Sequence, residues 1–124
     1  MELSSFFFDT YAFFELFKGN PAYKAYAREQ AILTTKMNLF ELHYHFLGSR
    51  GKAIADEIYD YYAQFAVEID DAAIKLASSF RTLHKKRNLS YIDCLGYSIA
   101  KMRKIPFLTG DKQFRDLENV EFVK

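Results

Sequence analysis

The segment SSFFFDTYAFFELF, residues 4–17, decides the fold because its pattern changes at a single charged residue. A short apolar run over 3–8 predicts a buried strand, and the apolar spacing from Tyr11 to the closing Gly19 predicts a helix. Asp9 lies between the two. A carboxylate is rarely buried without a partner, so we expect Asp9 to have a function at the end of the first strand.

The same alternation of strand and helix patterns continues along the chain. We predict further strands over 31–35, 66–69, 107–111 and 120–123. We predict helices over 21–30, 38–48, 52–65, 72–87 and 91–104, with Gly48 ending the second of these, and a short helical turn over 112–117. Strands that alternate with helices imply a mostly parallel sheet covered on both faces. The expected fold class is therefore α/β, a three-layer α/β/α sandwich with four to five strands, in one domain over 1–124.

The composition is that of a globular protein and excludes several functional classes. Of 124 residues, 50% are hydrophobic, which is far from the signature of disorder. The apolar runs are much shorter than the roughly 20 residues that cross a bilayer, so we expect a soluble, cytoplasmic protein with no membrane partner. A net charge of +1 gives no general attraction to nucleic acid, and the single cysteine, Cys94, excludes an internal disulfide.

Four carboxylates lie where the predicted fold would bring them together. In open α/β sheets the ligand crevice lies outside the carboxyl ends of the strands. Asp9 follows the first strand and Asp111 ends the segment FLTGD of the fourth. Asp93 is early in the helix over 91–104, and Glu41 lies among apolar residues on the helix that follows the second strand. We predict that these four side chains form one acidic pocket.

An acidic pocket of this kind needs a cation. Carboxylates within about 4 Å of each other repel by about 1 kcal/mol per pair in water and about 4 kcal/mol at an effective dielectric constant near 20. An all-oxygen ligand set suits Mg²⁺ or Mn²⁺ better than Zn²⁺, and such a site supports metal-assisted phosphodiester hydrolysis. Helical spacing places Gly96 and Ala100 beside Asp93, and we expect them to leave open space there. Each acid alone has an ordinary alternative as a helix cap or a surface charge, so the prediction depends on all four.

Four segments carry a resemblance to a known family: FFFDTYAFFELFKGN at 6–20, TTKMNLFEL at 34–42, LSYIDCLGYSIAK at 89–101 and IPFLTGDKQF at 105–114. In their order and spacing they resemble the PIN-domain nucleases and, at this length, the VapC-type toxin ribonucleases. The resemblance implies a Mg²⁺- or Mn²⁺-dependent endoribonuclease whose metal-binding, catalytic acids are Asp9, Glu41, Asp93 and Asp111. It also implies RNA as the substrate, products with a 5′-phosphate and a 3′-hydroxyl, a homodimer and a small antitoxin partner.

Several further residues have less specific predictions. The resemblance places the hydroxyls of Thr10 and Thr109 beside the acids, where they and Ser90 would position water or phosphate; Ser90 reads equally well as a plain helix cap. The basic run of Lys85, Lys86 and Arg87 is either a solvated helix end or a rim that contacts RNA phosphates. Gly96 stands where the family more often has alanine, an exchange that we expect to be tolerated.

Three alternatives remain beside this interpretation. Glu41 and His45 share one helical face and could ligate zinc, but no third nitrogen or sulfur ligand is evident. A phosphoacceptor receiver domain would need an adjacent pair of acids after the first strand, and Asp9 has no such neighbour. A non-catalytic nucleic-acid or protein binding module of the same fold would differ only in lacking metal-dependent cleavage.

Overall fold

A computed structural model describes residues 4–124 of the chain. Within this range a sheet of four parallel strands is formed by β1 (Phe6–Phe8), β2 (Ile32–Leu33), β3 (Phe107–Thr109) and β4 (Val120–Phe122), in the order β2-β1-β3-β4. The start predicted for the first strand at residue 3 lies outside the described residues. The central strand β1 pairs through Phe7 with both Leu33 and Phe107. The carboxyl end of β1, where Asp9 follows, therefore lies between those of two neighbouring strands.

Six α-helices within the described range surround the sheet, confirming the predicted α/β class. They are α1 (Thr10–Phe17), α2 (Pro21–Lys24), α3 (Lys36–Arg50), α4 (Lys52–Ala63), α5 (Asp71–Leu83) and α6 (Tyr91–Arg103). Short 3-10 turns cover Glu29–Ala31 and Lys112–Phe114. None of these helices is long and apolar enough to cross a bilayer.

The three consecutive phenylalanines alternate between the two faces of the sheet, with Phe6 and Phe8 on one face and Phe7 on the other. Successive side chains of a strand point to opposite faces, so Phe7 and Phe8 enter different cores, and both are 0% exposed. Phe7 packs with α5, α6 and the ring of Phe107. Phe8 packs with α1, α3 and α4, and its ring lies 5.3 Å from that of Phe13. The two cores hold the strand that ends at Asp9 from both sides.

The structure corrects two predicted elements and shortens others. Residues 66–69 do not form a strand, because only Ala66 bridges to Thr34 before Asp70 caps α5. Gly48 does not end α3; it adopts helical geometry, and the helix ends at Gly51, whose φ of 89° suits a residue without a side chain. The helices predicted over 21–30 and 72–87 stop at Lys24 and Leu83, and β3 stops at Thr109.

Gly96 does not leave open space beside Asp93, which corrects a further prediction. A Cβ atom added at this position would lie 2.8 Å from Cε1 of Phe7 and 3.3 Å from Cε1 of Phe107. Both rings are fully buried, so neither can move aside without disturbing the core. Gly96 therefore allows α6 to pack closely against the sheet.

Candidate active site

Asp9 lies at the junction of β1 and α1 and is buried, with 2% of its surface exposed. Its Oδ1 atom accepts a hydrogen bond of 2.9 Å from the backbone N–H of Thr10, so the residue caps α1. Its Oδ2 atom accepts a hydrogen bond of 2.9 Å from Thr109 Oγ1. Burial raises the pKa of the Asp9 carboxyl to about 8, and the negative charges of Asp93 and Asp111 add to this effect against the two hydrogen bonds.

Thr109 connects two of the predicted acids. It is the last residue of β3 and is fully buried. Its hydroxyl donates to Asp9 and accepts a hydrogen bond of 3.1 Å from the backbone N–H of Asp111. The Asp111 side chain in turn caps the following 3-10 turn through the N–H of Gln113, at 3.0 Å. One hydroxyl group thus fixes Asp9 relative to the backbone that carries Asp111.

Glu41 is half-buried on α3 and is held from α1. Thr10 Oγ1 donates a hydrogen bond of 2.6 Å to Glu41 Oε1, and it accepts one of 3.0 Å from Asn38 Nδ2. Asn38 is fully buried, and its Oδ1 atom accepts from Thr35 Oγ1 at 2.6 Å. Burial raises the pKa of Glu41, the hydrogen bond from Thr10 opposes this, and the charge of Asp93 adds to the rise. A chain of three polar side chains therefore orients this carboxylate.

Asp93 belongs to the first turn of α6, where it forms a capping box with Ser90. Ser90 Oγ accepts from the Asp93 N–H at 3.0 Å, and Asp93 Oδ2 accepts from the Ser90 N–H at 2.9 Å. Burial raises the pKa of the Asp93 carboxyl, and the nearby charge of Asp111 contributes against the bonds to Ser90. Among the described residues no hydrogen-bond donor occupies Oδ1, so this oxygen is available to a ligand.

The four carboxylates form one electrostatic group. The charge of Asp93 raises the pKa of both Asp9 and Glu41, and that of Asp111 raises the pKa of Asp9 and Asp93. Within residues 4–124, however, no three His, Cys, Asp or Glu side chains approach closely enough to form a metal cluster by themselves. Mg²⁺ keeps several waters and binds directly through one or two carboxylates. The oxygen-only donors and their mutual repulsion therefore fit a hydrated divalent cation.

The remaining predicted residues lie in different settings. Ser90 is an exposed helix cap. In the basic run, Lys85 and Lys86 are exposed, whereas Arg87 forms a bidentate ion pair with Asp116 at 2.7 and 2.8 Å. The ring of His45, the other member of the zinc alternative, packs 4.7 Å from that of Phe14.

Sequence reasoning did not assign a role to Thr35 or Asn38. The available signal was their spacing, because Thr35, Asn38 and Glu41 recur every three residues at the start of α3. Thr35 caps this helix by accepting from the Asn38 N–H at 3.2 Å. The spacing places the three residues on one side of the helix, but only the structure reveals their connection to Thr10 on α1.

Comparison with known proteins places this architecture in a family. The model of the PIN domain family matches residues 6–120, which include all four acids. The chain belongs to the PIN domain family. A comparison with curated proteins found no significant match.

Solved structures share the PIN fold along nearly the whole chain at low sequence identity. The toxin VapC20 of Mycobacterium tuberculosis, described as cleaving the sarcin-ricin loop, has a TM-score of 0.76 and 18% identity over 97% of this chain and 100% of its own. The DNA-bound VapBC of Salmonella typhimurium has a TM-score of 0.75 and 14% identity, covering 98% of each chain. VapBC-5 of Mycobacterium tuberculosis has a TM-score of 0.71 and 21% identity, covering 98% of this chain and 99% of its own. These similarities confirm the predicted fold.

Proposed function

We propose that this PIN domain is a Mg²⁺- or Mn²⁺-dependent endoribonuclease. The observation that carries the proposal is the group of four carboxylates, Asp9, Glu41, Asp93 and Asp111, whose charges oppose one another at the carboxyl end of the sheet. Holding such a group together is unfavourable unless a cation neutralises it. Oxygen donors around a hydrated divalent cation suit phosphodiester hydrolysis.

The side chains would have distinct tasks in this reaction. Asp9 and Asp93 would hold the cation, directly or through water, while Glu41 and Asp111 complete the acidic pocket. When bound, such a cation lowers the pKa of coordinated water and stabilises negative charge on a phosphoryl oxygen. Thr109 keeps the Asp9 carboxylate in one orientation, and Thr10 does the same for Glu41. The products would carry a 5′-phosphate and a 3′-hydroxyl.

Cleavage of an RNA pool by the purified chain tests this proposal. The pool should contain structured and single-stranded RNA, and the reaction should be run with Mn²⁺, with Mg²⁺ and with a chelator. We expect cleavage with either metal and none with the chelator or in the Asp93→Asn variant. Asp60→Asn is the matched control, since Asp60 is an exposed acid on α4 whose charge is not among those that raise the pKa of Asp9, Glu41 or Asp93. Mapping the cut ends would identify the preferred sequence or structure.

Metal binding separates the enzyme from the binding-only alternative. Calorimetry with Mn²⁺ should give binding to the wild-type chain that is lost in Asp93→Asn. A folded protein that binds Mn²⁺ but leaves every RNA intact would favour the non-catalytic module. A folded protein that neither binds Mn²⁺ nor cleaves RNA would contradict the four-carboxylate site itself.

We further propose that the chain is the toxin of a toxin-antitoxin pair and forms a homodimer. The structural neighbours support this role, because they include a Klebsiella pneumoniae toxin-antitoxin complex and VapBC-5 of Mycobacterium tuberculosis. Expression of the chain alone should arrest growth, and co-expression of a small protein from an adjacent reading frame should restore it. The Asp93→Asn variant should be harmless in the same cells. Growth arrest by both forms alike would contradict an RNase toxin.

A further inference from the structure

A groove between α5 and α6 has features that the proposed acidic site does not use. It has a volume of about 350 Å³, within the range of small-ligand sites, and is called here the α5–α6 groove. Ala77 and Cys94, both buried, lie at its base. Its polar lining on the α5 side comes from Ser78, Arg81, Thr82 and Lys85.

An aromatic ring and a cation form a platform at the edge of the α5–α6 groove. The guanidinium of Arg81 lies 4.3 Å from the centre of the Tyr91 ring. Tyr91 is 76% exposed, so much of the ring remains open to solvent. Arg81 Nε also points to the carbonyl oxygen of Leu89 at 3.4 Å, which restricts the guanidinium plane. An exposed ring backed by a fixed cation is a surface on which a nucleobase can stack.

The charge of the α5–α6 groove favours an anionic ligand. None of the described residues that line it is acidic. Within residues 4–124, neither Arg81 nor Lys85 forms an ion pair with a carboxylate. A two-fold interface places a surface patch against its own copy. Pairing of two such grooves would thus bring like charges together, which argues against a second copy of this chain as the occupant.

The α5–α6 groove reaches the turn of α6 that carries Asp93, because Cys94 in its lining directly follows Asp93. Tyr91 and Asp93 belong to the same turn of α6, about 3 Å apart along its axis. Helical spacing places Tyr91 and Asp93 on different sides of α6, and side chains lean toward the N-terminal end of a helix. A strand that crosses the N-terminal end of α6 would therefore pass from Asp93 on one side of the helix to Tyr91 on the other.

We propose that the α5–α6 groove binds a nucleotide of single-stranded RNA next to the scissile phosphate, with its base stacked on Tyr91 and its phosphate neutralised by Arg81 and Lys85. This inference rests on the proposed function, because it assigns part of the RNA path to that enzyme. It adds a binding site that is separate from the four carboxylates. Stacking does not select a base by hydrogen bonding, so the site contributes affinity for unpaired strands and little sequence preference.

RNA binding in a chelator tests the groove without cleavage. The probe is a short fluorescein-labelled single-stranded RNA, and the measurement is the dissociation constant from fluorescence anisotropy. Loss of one stacked base typically weakens binding about tenfold. We therefore expect Tyr91→Ala to raise the dissociation constant about tenfold. Tyr91→Phe keeps an aromatic ring, so its dissociation constant should stay within about twofold of the wild type. Tyr44→Ala is the matched control, because Tyr44 is 75% exposed on α3 and does not line the groove.

The salt dependence of binding tests the phosphate contact separately. Each phosphate contact to a single strand contributes about 0.7 to the slope of log affinity against log salt concentration. Lys85→Ala should reduce the slope by this amount. Lys75→Ala should not, since Lys75 is an exposed residue of α5 outside the lining.

The outcomes distinguish failure of the groove from failure of the enzyme. Equal RNA affinity for Tyr91→Ala and Tyr44→Ala, in folded proteins whose wild type cleaves RNA with Mn²⁺, would overturn the groove alone. A wild-type dimer that Tyr91→Ala converts to monomer in sedimentation, with unchanged RNA affinity, would identify the groove as a subunit interface and overturn the proposal. RNA binding that depends on Tyr91, without cleavage by the wild type, would support the groove and contradict the nuclease.

Discussion

Replacing Asp9 by asparagine should stabilise the metal-free protein at neutral pH. The Asp9 carboxyl is buried and has its pKa raised from 3.8 to about 8 by burial and by the charges of Asp93 and Asp111. Asparagine keeps the shape of the protonated acid. Its Oδ1 atom can still accept from the N–H of Thr10, and its amide can donate to Thr109 Oγ1, a hydroxyl with two acceptor lone pairs. The substitution removes the titrating group, and it keeps both partners in contact, with the hydrogen bond to Thr109 reversed in direction.

The magnitude of this effect follows from linkage between proton binding and folding. Between about pH 4 and pH 8 the folded protein keeps a proton on Asp9 that the unfolded chain has released, so its stability falls as the pH rises. Each pH unit in this window costs at most about 1.4 kcal/mol, and the interval from pH 4 to pH 7 gives an upper bound of about 4 kcal/mol. Because buried sites respond with an effective dielectric constant near 20, we expect about half of this, or about 2 kcal/mol.

Urea unfolding in a chelator, followed by circular dichroism at several pH values, measures the effect. The free energy of unfolding of Asp9→Asn should match that of the wild type near pH 4 and exceed it by about 2 kcal/mol at pH 7, with an unchanged m-value. Asp60→Asn controls for the loss of one negative charge. A difference between Asp9→Asn and wild type that stays constant from pH 4 to pH 7 would refute the reasoning, because it would mean that Asp9 titrates as an ordinary surface acid.

Three further predictions follow from the packing and the polar contacts. Mn²⁺ at about 100 times its dissociation constant should stabilise the wild type by about 2.7 kcal/mol, measured by thermal melting. Asp9→Asn should be stabilised much less. Equal stabilisation of both proteins would place the ion elsewhere. Gly96→Ala should lower the free energy of unfolding in urea by about 1–3 kcal/mol, because its methyl group would collide with the buried Phe7 ring. Gly48→Ala is the control: a Cβ there meets nothing within 4 Å, so this variant should gain up to about 1 kcal/mol. Equal effects of the two substitutions would contradict the packing. Asn38→Ala should lower the free energy of unfolding by about 1–3 kcal/mol. It should also lower the rate of RNA cleavage, because Thr10 and Glu41 lose their support. Cleavage at the wild-type rate by the folded variant would show that Glu41 needs no such support.

The sequence predicted elements well where their apolar pattern was strong and poorly where a short run was ambiguous. The strand around Phe7 and the helix beginning after Ser90 have the periodicity and the flanking residues of their type. Residues 66–69 have the same apolar character as a short strand, but the segment bridges to Thr34 at a single position. Strand formation depends on a partner that continues alongside, and local pattern does not contain that information.

The acids of the candidate site were predictable from topology, whereas their support was not. Asp9 and Asp111 follow predicted parallel strands, so their approach needed only the rule that ligands bind at carboxyl ends. The path from Thr35 through Asn38 to Thr10 depends on how the first turns of α1 and α3 meet, which no periodicity encodes. The role of Gly96 likewise depends on the position of the Phe7 ring across the interface.

The aromatic packing around the site offsets the cost of holding its carboxyl groups close together. Burial of the Asp9 carboxyl destabilises the metal-free fold at neutral pH, so the strand that precedes it must be held by other interactions. Phe7 and Phe8 supply this by entering separate cores, and truncation of one such ring typically costs about 3–5 kcal/mol. That exceeds the roughly 2 kcal/mol that burial of the Asp9 carboxyl is expected to cost at pH 7. Phe7 and Phe8 can therefore keep the Asp9 carboxyl in place before a cation arrives.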